Sequence, residues 1–205
     1  MGGIESVTKT DRGRWDISYD NIVLDNENKR RLWNIIRQHC GGRVGTIAVP
    51  IWAYGVSSWA IGAGQGGKIR VPYSDGASHS DGSYFLQAGI VVENVNAVAI
   101  GDTEITLKSI YNITDLSGVN FSYEHALYET GAASNIDGND WTVSLFPAAR
   151  AVIPAGALLE FDLPTCLVNL ATDREMDRSF SAGGIDTFSL NFKEDVAEWN
   201  RRATA

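Results

Sequence analysis

Val119-Asn-Phe-Ser-Tyr123, then Leu127-Tyr-Glu-Thr130, then Gly138-Asn139 followed by Trp141-Thr-Val-Ser-Leu-Phe146, form the stretch on which the fold turns. Each run is short and rich in aromatic and β-branched residues, and a Gly-Asn pair parts the last two, as in strands joined by a tight turn. The same texture extends outward over residues 85–92, 97–100, 105–110, 157–161, 166–171 and 188–192. Strand-like runs repeating about every 8–12 residues, punctuated by Gly, Pro, Asn and Asp, predict a mainly β chain of sandwich or barrel type. Gly101-Asp102 and Gly138-Asn139 are the expected hairpin tips.

Upstream of this region the pattern changes. Leu32, Ile35, Ile36 and His39 recur at helical spacing and predict one N-terminal α-helix over residues 25–40. Asp25 or Asn26 caps its start, and Gly41 and Gly42 stop it by taking the left-handed conformation. Residues 15–19 before the helix and 46–52 after it read as strands, with Pro50 marking the second as an edge or a bend. Residues 54–83 shift to Gly, Ser and Ala, with Gly62, Gly64, Gly66 and Gly67 clustered and two Ser-Asp-Gly triplets at 74–76 and 80–82. That stretch reads as a long Gly/Ser-rich loop that is ordered by a partner or lies over a surface. The expected organisation is residues 1–53 completed by a C-terminal strand within 184–205, the loop at 54–83, and a β-rich part at 84–183, the whole being compatible with one domain. Residues 193–205 fit either a short helix or a tail.

With 205 residues, 44% hydrophobic and 20% charged, the chain has the balance of a folded globular protein. A net charge of -8 disfavours sequence-independent nucleic-acid binding, which depends on clustered Lys and Arg. No apolar run approaches the roughly 20 residues of a membrane span, and Met1 to Arg14 lacks a signal-peptide core, so synthesis in the cytoplasm and no membrane partner are expected. Cys40 and Cys166 stand far apart, outside any zinc or redox spacing, and read as buried apolar residues.

No chemical motif stands out. The run Gly62-Ala-Gly-Gln-Gly-Gly67 has neither the preceding strand nor the following helix of a phosphate loop. Asp75 and Asp81 suit turns better than a calcium loop, whose ligand offsets are missing. His39, His79 and His125 have no metal-ligand spacing, and no nucleophile has a recognisable surrounding. The chain is therefore expected to be no enzyme and to need no cofactor. Trp15, Trp33 and Trp141 lie in periodic elements and read as core. Trp52 and Trp59 flank the glycine-rich loop and suit an interface better than a sugar site. With Tyr73 and Tyr84, and with Asp75 and Asp81 shaping turns, they are the candidate assembly residues.

The order of features carries a resemblance. A Trp-containing strand and a helix precede Gly41-Gly-Arg-Val-Gly-Thr-Ile-Ala-Val-Pro-Ile-Trp52 and the paired Ser-Asp-Gly loop. Gly118-Val-Asn-Phe-Ser122, Val143-Ser-Leu-Phe-Pro147, Ile153-Pro-Ala-Gly156, Glu160-Phe-Asp-Leu-Pro164 and Cys166-Leu-Val-Asn-Leu-Ala-Thr-Asp173 follow. From Trp15 to about Glu194 the chain resembles phage and prophage tail proteins, and its N-terminal half is similar to the distal tail proteins of long-tailed phages and gene transfer agents. The resemblance implies a structural virion protein: a ring, typically six-fold, joining the tail tube to the hub or baseplate around a channel through which DNA passes. Its implied partners are further copies of itself, the tube and the hub. An acidic balance would suit the channel wall, to which passing DNA should not stick. Many such proteins carry a large second domain, sometimes galectin-like, for which this chain leaves little room. A carbohydrate-binding or host-adhesion module of the tail tip, or a tail tube or tube-terminator protein, are the alternatives.

Overall fold

A computed structural model describes residues 13–51, 68–71, 77, 79–81, 85–177 and 186–204. In chain order these form β1 (Asp16–Leu24), α1 (Glu27–Cys40), β2 (Ile47–Pro50), β3 (Lys68–Val71), β4 (Phe85–Ala88), β5 (Val91–Asn94), β6 (Glu104–Tyr111), β7 (Asn120–Tyr123), β8 (Ala126–Asp137), β9 (Asp140–Phe146), β10 (Leu158–Leu159), β11 (Thr165–Leu170), β12 (Asp186–Glu194) and α2 (Val196–Ala203). The fold is mainly β, as the sequence predicts, and its two larger sheets differ in how they end.

Six antiparallel strands in the order β10-β5-β6-β9-β8-β7 make a nearly closed barrel. Its outer strands meet where Ser122 of β7 and Glu160, next to β10, exchange two main-chain hydrogen bonds of 2.9 Å. The interior is filled by Phe121, stacked on Phe161 at 5.1 Å and tilted against Tyr128 at 5.4 Å, with Val92, Leu107 and Val143 fully buried around them. β8 runs seven residues beyond the expected 127–130 segment, through Gly131-Ala-Ala-Ser-Asn. A Cβ at Gly131 would lie 2.0 Å from Ser144 Oγ, so any larger residue there would have to turn the Ser144 hydroxyl away. Gly138 takes φ +61 as the first of two residues between the paired Asp137 and Asp140, the glycine position of a tight hairpin turn.

Four strands in the order β1-β12-β11-β2 make a half-barrel around α1. Trp33, Cys40, Cys166, Val168, Leu170, Met176 and Phe192 form its buried core. β12, almost the last element in the chain, pairs with β1 on one side and β11 on the other. β2 is an edge, as Pro50 predicts. The Tyr19 hydroxyl of β1 donates to the Pro50 carbonyl of β2, so the sheet curls until its two outer strands face each other.

α1 has the expected punctuation. Asn26 Oδ1 accepts from the Lys29 N–H at 2.9 Å, and Gly41 at φ +52 donates its N–H to the Arg37 carbonyl. Its buried face is the expected one only in part: Trp33, read as core, and Ile36 face inward, but Leu32 and Ile35 do not. Trp33 and Cys40 are buried and Ile36 packs beside them, while Leu32 and Ile35 are 56% and 63% exposed. The two rows are one residue apart on the same helix, and the larger indole takes the core position. Residues 193–205 resolve into the end of β12 and α2, whose cap Asp195 accepts from the Glu198 N–H at 3.0 Å.

Other expectations need correction. The stretch 54–83 contains β3, which pairs with β4 as a separate two-stranded hairpin. Residues 85–92 are two strands broken at Gly89-Ile90, whose N–H groups both donate to the buried Asp162 carboxylate. Residues 97–100 contribute one isolated bridge, Val98 to Ile153. Gly101-Asp102 turns the β5–β6 connection, with the Asp102 carboxylate accepting from the Ala99 N–H at 2.7 Å.

A buried ion pair joins the two sheets, beside the hydrogen bonds from the Leu167 N–H to the His125 carbonyl at 2.9 Å and from the Thr165 N–H to Ser122 Oγ at 3.0 Å. Arg150, beside the barrel, contacts Glu194 of β12 at 3.0 Å, and the Glu194 side chain is fully buried. Glu194 also accepts from the Trp15 N–H at 3.1 Å, and Arg150 donates to the Gly13 carbonyl. Trp15 Nε1 in turn donates to the Leu127 carbonyl of β8 at 2.9 Å.

Candidate functional site

An apolar groove of about 450 Å³ opens on the half-barrel. Its floor is Leu190 and Phe192 of β12, and its walls come from β1, β2 and α1. Consecutive residues line it on both outer strands, 22–24 of β1 and 47–50 of β2. Because side chains alternate faces along a strand, consecutive lining means that the groove runs against the strand edges and their main-chain groups. Among the described residues, neither β1 nor β2 has a second strand neighbour. At the mouth, Leu32 and Val23 remain substantially exposed, with Ile35 on the same helix surface.

Of the groove's lining residues one is charged, Lys29, and other charges of α1 are held in ion pairs. Lys29 lines the mouth and pairs with Asp25 at 2.9 Å, Arg31 pairs with Glu27 at 2.6 Å, and Arg37 with Asp177 at 2.8 Å. The hydrogen bond from Lys29 holds the Asp25 carboxyl below the usual carboxylate range. Tyr19 crosses the groove edge-on to Phe192 at 5.8 Å, and burial, with a smaller contribution from Cys166, pushes its phenol up to about 12.

The remaining chemistry is quiet. Burial raises both thiols, at Cys166 with Glu194 adding to it, which is opposite to the shift that activates a nucleophilic cysteine. His125 Nδ1 lies 2.9 Å from the Thr165 hydroxyl, and among the described residues no three His, Cys, Asp or Glu side chains are grouped to hold a metal ion. A second cavity of about 260 Å³ lies between α2 and the β5–β6 connection, lined by Ile100, Arg150, Trp199 and Asn200 among others.

Of the residues singled out from the sequence, Trp52, Trp59, Tyr73, Asp75 and Tyr84 lie outside the described residues. Asp81 lies exposed in a turn with Ser80, consistent with turn chemistry. The groove was missed because no motif marks it. Its apolar residues are ordinary core formers, and only the strand order reveals that two edges face one another. No protein-family model matches the chain, and no curated protein matches its sequence.

Proposed function

We propose that this chain is a ring-forming structural subunit of a phage tail tip, joining the tail tube to the hub around the DNA channel, with copies of itself as its first partners. The observation that carries this reading is the contrast in sheet closure. One sheet is joined end to end by the Ser122–Glu160 bridge, while the outer strands of the other have, among the described residues, no second strand neighbour and flank an apolar groove. Unpaired edges invite pairing with another chain, and a closed ring of like subunits removes them. The acidic balance of -8 fits a wall along which DNA slides without adhering.

The test is the mass of the purified protein by light scattering, with negative-stain images of the same fraction. Uniform rings with an open bore are expected. A monomer at every concentration, also in the presence of tail tubes, would overturn the reading.

A further inference from the structure

The molecule divides its charge unevenly, and the division matches its exposed apolar surfaces. α1 carries Lys29, Arg30, Arg31 and Arg37 against Glu27 alone, on a chain whose net charge is -8. Residues 91–161, which build the barrel, carry nine Asp and Glu and, of Lys and Arg, only Lys108 and Arg150. The basic helix borders the apolar groove. On the acidic barrel, the outer half of the β8–β9 hairpin is exposed, and Ile136, 53% exposed, sits there between Asn135 and Asp137 with Asp140 across the turn.

We propose that the groove of one copy receives the β8–β9 hairpin of the next, with Ile136 entering beside Leu32 and Asp137 meeting Lys29. This rests on the ring reading and names its contact. Both surfaces belong to the same chain and differ from each other, so the contact is head-to-tail and uses one groove and one hairpin per copy, which is the kind that closes into rings. Complementary charge sets register and partner, while the apolar groove supplies the buried area. The ion pairs now held by Lys29, Arg31 and Arg37 are exposed and screened, so exchanging partners costs little.

The experiment reverses charge on each side. Lys29→Glu places an acid in the first turn of α1, which the helix favours, and Asp137→Lys alters an exposed position beside a turn, so both variants fold. By sedimentation, either variant alone associates at least about ten-fold more weakly than wild type, and the chain carrying both changes recovers much of the loss. A second readout mixes Leu32→Cys with Ile136→Cys under oxidation, where a disulfide-linked heterodimer is expected. Rings that form equally well with either reversal and yield no cross-link overturn this contact and leave the ring reading standing. A wild-type monomer under all conditions overturns both.

Discussion

The barrel and the half-barrel are built from similar strands, yet one is finished within itself and the other is not. Every barrel strand comes from the contiguous stretch 91–159, and its ends join through Ser122 and Glu160. The half-barrel gathers β1 and β2 from the start of the chain and β11 and β12 from its end, and leaves two edges and a groove open. The difference teaches how the two sheets can interact: a closed sheet has no edge left to pair and offers a partner only its hairpin tips, whereas an open one has main-chain groups and apolar surface unspent.

The sharpest way to break the comparison is through the barrel core. Phe121→Ala removes the ring between Phe161 and Tyr128 and is expected to cost about 3–5 kcal/mol, measured by denaturant unfolding. A loss near zero would mean that the barrel is not the stable half. Next is the tie between the halves. Glu194→Gln leaves Arg150 without its buried carboxylate and is expected to cost about 3 kcal/mol, with the two halves unfolding in separable steps by Trp33 and Trp199 fluorescence. A single unchanged transition would locate the coupling elsewhere.

Alkali addresses both halves together. Burial pushes Tyr128 of the barrel and Tyr19 of the half-barrel up to about 12, above the ordinary value of 10.0. The unfolded chain then releases its phenolic protons first, so stability holds below pH 10 and falls as pH rises from 10 to 12. Thermal melts across that window check the sign. Asn26→Ala removes the α1 cap and is expected to cost about 1 kcal/mol in the half-barrel alone. Smallest is Leu32→Ser at the groove mouth, expected to change monomer stability by less than about 0.5 kcal/mol while weakening association seen by light scattering.

Local signals were legible and distant ones were not. Asn26, Gly41, Pro50 and Gly138 each impose a backbone requirement that a few neighbouring residues express, and each sits where the sequence places it. On α1 the sequence marks Trp33 as core, and it packs against Phe188 at 4.7 Å, but Leu32 and Ile35 are as apolar as core residues and no local signal shows that they lie outside. β3 escaped notice because its glycine-rich approach masks a four-residue run. The groove depends on β12 joining elements more than 160 residues apart, and no periodicity encodes such a partner.

That late position of β12 has a consequence for the order of events during synthesis. Residues 91–161 can emerge and fold before residues 186–194 have been made, since domains form as units as they leave the ribosome. The half-barrel must wait for residues 186–194, because β1 has no other described partner and β11 reaches it only through β12. The surface proposed for assembly therefore comes into existence only once β12 has been made, which delays subunit association and spares shorter nascent copies from joining too early.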